Sequence, residues 1–122
     1  MYKIISIFFV LVIFSFGCSQ TPQEMYSGDW KLKFNGDLDS EFDFAIKNDL
    51  TFSFAKNITV RGIPRDVFIS GEVIEDGTLN GSIFANGSLV GNISGSIAPE
   101  AGTGNWEGGG LKGTWTAAKN VN

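Results

Sequence analysis

The pattern that most constrains the fold is a two-residue alternation of apolar and polar side chains, which recurs from Tyr26 to Lys119. In "EFDFAIK", for example, Phe42, Phe44 and Ile46 share one parity and mostly charged residues alternate with them. Such alternation is typical of β-strands with one buried face. Turn signals, among them "NGD", "EDG" and "ANGS", separate the alternating segments. The sequence therefore predicts eight consecutive antiparallel strands and an all-β fold.

These strands are expected to form an up-and-down meander that closes into a barrel. An open meander exposes two strand edges, whereas a closed barrel leaves none, and the sequence after residue 26 offers no helical segment to cover a flat sheet. We therefore predict an eight-stranded antiparallel up-and-down meander barrel over residues 26–119. A strongly curled open sheet is the alternative, and pairing between the first and the last strand distinguishes the two.

Glycine occupies many inward positions in the later strands, whereas the first three strands place large rings there. The glycines are Gly71, Gly81, Gly91, Gly95, Gly102, Gly104 and Gly113. The rings belong to Trp30, Phe34, Phe42, Phe44, Phe52 and Phe54. Because an eight-stranded barrel encloses little more than its own side chains, we expect rings from one wall to fit against bare backbone of the opposite wall.

A ligand cavity left by the missing side chains is the alternative. Its candidate lining residues are Trp30, Phe42, Phe44, Phe52, Phe54 and Lys56. Lys56 has inward parity on the third strand, where its ammonium would hold the head group of an acidic apolar ligand. A bulge at residues 55–57 would instead turn Lys56 outward, and this is favoured because an unpaired buried ammonium is costly.

The first residues have the pattern of an export signal. A positive charge precedes a largely apolar run over residues 4–16, and Gly17-Cys18 follows. The run is shorter than the about 20 residues of a membrane span. It resembles the signal of bacterial lipoproteins, whose lipobox ends in a small residue and Cys. The resemblance implies that residues 1–17 form a signal peptide, that Cys18 carries lipid, and that residues 18–25 contain the lipidated cysteine and a tether.

Lipidation implies attachment to a membrane of the bacterial cell envelope. Ser19-Gln20 follows Cys18 where the inner-membrane retention signal of lipoproteins would place Asp. This departure favours the outer membrane. A plain signal peptide with an incidental Cys18, or an uncleaved anchor, is the alternative.

The segment "RGIPR" carries both arginines of the chain and is expected to be a loop. Because connections in an up-and-down barrel alternate between its ends, this loop lies at the end opposite the tether, away from the membrane. Arg61, Ile63, Pro64 and Arg65 are therefore candidates for a partner contact, two charges around an apolar tip. An ordinary loop with solubilising charges is the favoured alternative.

Two parts of the barrel sequence resemble known families. The start of the first strand, "GDW", resembles the Gly-x-Trp motif of lipocalins and related calycin barrels. That resemblance implies that Trp30 closes the barrel floor beneath a basic residue, Lys112 or Lys119. Residues 87–119 resemble the barrel domains of transferrin-binding surface lipoproteins, in their glycine-alternating strands and their Gly-x-aromatic-x-Ala-x-Lys ending.

Composition argues against several kinds of activity. The chain has no histidine, its one cysteine is Cys18, and its net charge is −4 without a basic block. We therefore predict no enzyme, no cofactor and no nucleic-acid partner. Asp37, Asp39, Glu41 and Asp43 form an acidic row. Most of this row lies along one outward strand face, which favours a solvated surface over a calcium site, so no metal site is predicted.

These observations lead to two hypotheses for function. The first is a lipid-anchored extracytoplasmic interaction module that contacts an unknown protein or envelope polymer through its membrane-distal loops. The alternative is a lipocalin-like carrier of a small apolar ligand in the barrel interior. An interior cavity of at least about 300 Å³ would favour the carrier, and a filled interior would exclude it.

Overall fold

The computed structural model describes residues 21–120. They form one short helix and eight strands, which confirms the all-β class and the predicted number of strands. The elements are α1 (Pro22–Tyr26), β1 (Gly28–Gly36), β2 (Ser40–Ile46), β3 (Thr51–Val60), β4 (Ile63–Val73), β5 (Thr78–Ala85), β6 (Ser88–Ile97), β7 (Ala101–Gly108) and β8 (Leu111–Lys119). The predicted signal peptide and Cys18 lie outside the described residues.

The strands form a nearly closed barrel in which the first strand pairs with the last. The sheet order is β2-β1-β8-β7-β6-β5-β4-β3, with antiparallel pairs throughout. The β1–β8 ladder runs from Trp30 opposite Lys119 to Gly36 opposite Gly113. This pairing confirms the up-and-down barrel, which is nearly closed. Within residues 21–120 the ring is interrupted between β2 and β3, a gap that we call the seam.

Phenylalanine rings fill the seam where a hydrogen-bonded ladder would otherwise lie. The turn between β2 and β3, at residues 47–50, is closed by one backbone hydrogen bond, from Lys47 N to Thr51 O at 3.0 Å. Beyond this turn, phenylalanine rings pack against one another across the seam. The distances between ring centroids are 5.5 Å for Phe44–Phe52, 5.0 Å for Phe44–Phe54 and 5.4 Å for Phe42–Phe54. Tilted and edge-to-face rings at such distances attract one another, so side-chain packing holds β2 against β3.

Ring and glycine are complementary, but between neighbouring strands. The directly paired positions are Phe52 with Gly71, Trp106 with Gly113 and Trp115 with Gly104. A Cβ at Gly104 would lie 2.6 Å from Trp115 Nε1, so this indole occupies the space that a side chain would take. It reaches one strand further and donates to the Ser94 carbonyl at 3.0 Å. The predicted fit between opposite walls is therefore corrected, because Phe52, Trp106 and Trp115 each lie beside a glycine of the neighbouring strand.

The folded structure begins earlier than the tether prediction places it. Thr21 and Glu24 form a capping box, in which Glu24 N donates to Thr21 Oγ1 at 3.2 Å and Thr21 N donates to Glu24 Oε1 at 2.9 Å. Pro22 suits the first helical turn because its missing N–H would have no partner within the helix. Tyr26 ends α1 and is buried, with 5% of its surface exposed. Part of the segment 18–25 is thus helical.

Candidate binding site at the distal end of the barrel

The two ends of the barrel carry different kinds of connection. The end that holds α1, which we call the proximal end, also holds the connections at residues 47–50, 74–77 and 98–100. The opposite end, which we call the distal end, holds the β1–β2 connection and three tight turns. These turns use residues 61–62, 86–87 and 109–110, all with positive φ.

The proximal half of the interior is filled. Its side chains with the least exposure are Trp30, Ile46, Ile69 and Trp115. Trp30 Nε1 donates to the Tyr26 carbonyl at 2.8 Å, which ties the barrel floor to α1. The Lys119 ammonium lies 5.9 Å from the centre of the Trp30 ring and donates to the Met25 carbonyl at 3.0 Å. Of the two lysines that the lipocalin resemblance suggests, the structure therefore places Lys119 over this tryptophan.

A cavity of about 370 Å³ opens at the distal end. It lies between the distal parts of the strands and is lined mainly by apolar side chains. The lining residues are Phe34, Leu38, Phe42, Ile58, Val60, Arg61, Ile63, Arg65, Val67, Ile83, Ala85, Val90, Trp106, Gly108, Gly109 and Leu111. Its volume falls within the range of small-molecule sites, about 300–1,000 Å³.

The cavity lies nearer the distal end than the predicted aromatic set. Among the candidate lining residues Phe42 borders it. Trp30, Phe44 and Phe52 are buried in the filled part, and Phe54 packs beside the core in the seam. Larger side chains toward the proximal end therefore occupy the space that the sequence alone left open to a ligand.

The "RGIPR" segment is a tight turn followed by a strand rather than a loop. Arg61 and the next residue adopt positive φ, 52° and 81°, and β4 begins at Ile63. Pro64 is exposed and pairs with Thr59 on β3. Arg65 occupies the same parity as the buried Val67, is half-buried, and borders the cavity together with Arg61 and Ile63. Three of the four predicted contact residues therefore border the cavity at the barrel mouth.

Lys56 bridges the seam instead of marking the mouth of the cavity. Its ammonium donates to the Glu41 carbonyl of β2 at 2.6 Å and lies 5.6 Å from the Phe42 ring centre. The β3–β4 register continues without a shift through residues 51–60, so the predicted bulge is wrong. Lys56 reaches water because the wall is open at the seam, and it satisfies one carbonyl of an unpaired strand edge.

The acidic row forms a solvated face. Lys31 Nζ lies 3.3 Å from Asp43 Oδ1 and 3.9 Å from Glu41 Oε1, and these three side chains are more than half exposed. Asp37 accepts a hydrogen bond from the backbone N–H of Lys112 at 3.1 Å. Within residues 21–120, no three His, Cys, Asp or Glu side chains converge as metal ligands. In the same part of the chain, no helix has the length and apolar composition needed to cross a membrane.

An apolar row crosses the outside of the barrel, a feature that the sequence analysis did not identify. Its members are Ala55, Phe68, Phe84 and Leu89, which are cross-strand partners on β3, β4, β5 and β6. The rings of Phe68 and Phe84 lie 6.0 Å apart, and Leu89 is 65% exposed. The available signal was parity, since both phenylalanines fall out of phase with the buried residues of their strands.

No protein-family model, curated protein or solved structure matches this chain. The nearly closed eight-stranded antiparallel barrel is compatible with a lipocalin-like fold.

Proposed function

We propose that the protein is an extracytoplasmic binding protein that holds a small, mainly apolar ligand in its distal cavity. The observation that carries this proposal is an apolar cavity of about 370 Å³ in a barrel whose other half is filled. Interiors of small barrels are normally packed by side chains. An apolar space of this size at an open end is the usual form of a small-molecule site.

The proposal includes a lipid anchor on Cys18 in the bacterial cell envelope, with the outer membrane favoured. Gly17-Cys18 after an apolar run supports it, and α1 begins four residues beyond this cysteine, at the proximal end. Four residues extend over at most about 14 Å, so the proximal end would lie near the membrane. The cavity would then open away from the membrane.

The binding proposal is tested with N-phenyl-1-naphthylamine, a neutral apolar dye whose fluorescence rises in apolar surroundings. Every contact described above lies within residues 21–120, so the chain from Ser19 onward retains all of them, and near-UV circular dichroism of its buried tryptophans verifies folding. We expect saturable binding at one site. Absence of saturable binding by the folded chain would contradict the proposal.

A cavity-filling variant locates the site. Ala85→Trp places an indole into the cavity that Ala85 borders, and it is expected to weaken dye binding at least about tenfold. Ala101→Trp is the matched control, because Ala101 is exposed on the outer face at the proximal end. Equal dye affinity of the two folded variants would place binding elsewhere.

Lipidation is tested separately in cells. Labelling with an alkyne fatty acid should tag the wild-type chain and fail to tag Cys18→Ala. Equal labelling of both chains would contradict the anchor without bearing on the cavity.

The outer apolar row favours a second candidate function, an interaction module for a protein or an envelope polymer. Four exposed or half-buried apolar residues aligned across four strands are the kind of surface that a partner covers. Capture of a component from envelope extracts should be lost in Phe68→Ser/Phe84→Ser and retained in Arg61→Ala/Arg65→Ala if the row is the contact. Loss of capture in Arg61→Ala/Arg65→Ala, with capture retained in Phe68→Ser/Phe84→Ser, would instead indicate that the contact is at the distal arginines.

A further inference from the structure

We propose that the ligand of the distal cavity is a single-chain amphiphile with an anionic head group, a carboxylate or a phosphate, which binds Arg65 and Arg61. The inference rests on the proposed binding function and adds the charge and shape of the ligand. The apolar chain would enter the cavity, and the head group would stay at the barrel mouth.

Arg65 is the first observation that supports an anionic group. It is half-buried at an inward position of β4, between Ile63 and Val67 along the same face and opposite Ile58 on β3. A guanidinium carries a positive charge and five N–H donors in a fixed fork, which pairs favourably with the two oxygens of a carboxylate or phosphate. Among residues 21–120, the ion pairs within 4.0 Å involve Lys31 and neither arginine. Arg65 therefore remains available to pair with an anion at the mouth.

The charge balance of the site is the second observation. The cavity is bordered by two arginines and by no Asp or Glu from the described residues 21–120, although the whole chain carries a net charge of −4. Asp66, the nearest acidic residue along the chain, has the opposite parity to Arg65, is exposed, and accepts a hydrogen bond from Asn57 Nδ2 at 2.7 Å. The residues that border the cavity therefore carry two positive charges and no negative charge, although Asp37 and Asp39 flank Leu38 at the same end, and such a pair of cations attracts anions.

The size of the cavity indicates one chain rather than two. At about 370 Å³ it lies at the lower end of small-molecule sites, which span about 300–1,000 Å³. Its apolar walls favour a hydrocarbon chain, and the arginine fork suits the paired oxygens of a carboxylate or phosphate.

The test compares decanoate, decyl phosphate and decan-1-ol as competitors of the dye at pH 8, where the carboxylate is ionised. We expect both anions to bind at least about tenfold more tightly than the alcohol, since hydrogen bonds between two charged groups are stronger than hydrogen bonds to a neutral hydroxyl. In Arg61→Gln/Arg65→Gln this preference for the anions over decan-1-ol should fall to within about twofold. Lys112→Gln is the control, because it removes one positive charge at the distal end without bordering the cavity.

The possible outcomes distinguish failure of the proposed anionic head group from failure of the proposed binding function. Equal affinities for decanoate and decan-1-ol in the wild type would overturn the anionic head group and leave the binding function standing. An unchanged preference in the double variant would overturn the assignment to the two arginines. Failure of the dye and of all three competitors to bind would remove the binding function itself.

A vesicle arm distinguishes a free amphiphile from a membrane surface. Sedimentation with phosphatidylglycerol vesicles is compared with sedimentation with phosphatidylcholine vesicles for wild type and the double variant. Arginine-dependent sedimentation with the anionic vesicles, without discrimination between decanoate and decan-1-ol, would overturn the cavity proposal in favour of contact with a lipid surface.

Discussion

The proximal and distal ends of this barrel belong to the same sheet, but the first is closed by packed side chains and the second is open. At the proximal end, Trp30 is inaccessible to solvent and is held by α1 and by Lys119. At the distal end, Ile63 is 51% exposed and borders an open cavity. The first end has a floor made by side chains and a helix, whereas the second ends in tight turns around an open cavity.

The difference concerns how much each end contributes to the stability of the barrel. Buried rings and capped connections at one end contribute packing and hydrogen bonds, while partly exposed apolar residues at the other contribute little to folding. Substitutions at the two ends are therefore expected to differ in their effect on the free energy of unfolding. The predictions below use matched pairs to measure this difference.

The largest effect is expected for Trp30→Ala at the proximal floor. Removing a fully buried tryptophan leaves a cavity and frees the Tyr26 carbonyl, at a cost of about 3–5 kcal/mol. Ile63→Ala at the distal mouth should change the free energy of unfolding by less than about 1 kcal/mol. Urea unfolding followed by far-UV circular dichroism measures both, and similar losses would contradict a stability difference between the ends.

A second pair compares one substitution at two positions of β7. Gly104→Ala would push a Cβ against Trp115 and the Ser94 carbonyl and should destabilise the fold by about 1–3 kcal/mol. Gly108→Ala, at the distal end, meets its nearest neighbour, Val90 Cγ2, at 3.5 Å, an ordinary contact. It should change stability by less than about 0.5 kcal/mol. Thermal unfolding distinguishes the two, and equal shifts would argue against the ring–glycine fit.

A third pair tests the lysine over the floor tryptophan. Lys119→Met removes the hydrogen bond to the Met25 carbonyl and the cation–π contact with Trp30, for an expected loss of about 1–2 kcal/mol. Lys112→Met removes an exposed charge at the other end and should have little effect. Chemical denaturation of both variants gives the comparison, and a neutral Lys119→Met would show that the floor is held by packing alone.

The smallest expected effect is on the stability of the fold at acidic pH. The side-chain and backbone hydrogen bonds from Thr51 hold the pKa of Asp49 below its ordinary value of 3.8. Because the folded-state pKa is lowered, the resulting stability is present above the unfolded-state pKa and is lost as pH falls through the folded-state value. Thr51→Val should raise the pKa of Asp49 toward 3.8, measured by NMR titration of the carboxyl, whereas Thr114→Val should not. An unchanged pKa in Thr51→Val would contradict the assigned cause.

Hydrogen bonds likewise lower the pKa values of Glu24 and Asp76, with Thr21 and Thr78 as their partners. All three carboxyl groups lie at the proximal end. A weak loss of stability below about pH 4 is therefore expected to start at the end that is otherwise better packed.

Several features of the site follow from local pattern, and others do not. The parity of residues along β4 places Val67 and Ile69 inside, and it also places Arg65 inside, although "RGIPR" was predicted to be a loop. The helix at Pro22 had a readable signal in Thr21 and Glu24, three positions apart as a capping box requires. The seam had no such signal, because Phe42, Phe44, Phe52 and Phe54 have the same alternating pattern as rings in a closed ladder.

By itself, the sequence determined the all-β class, the number and order of the strands and the end at which each turn lies. These properties depend on a two-residue period and on turn residues, which act over a few neighbouring positions. Tertiary structure decided where the barrel is open, which rings lie beside which glycines and where a cavity remains. Such features depend on how completely the side chains of several strands, some far apart in the chain, together fill the interior. That filling is defined only once the strands are packed against one another.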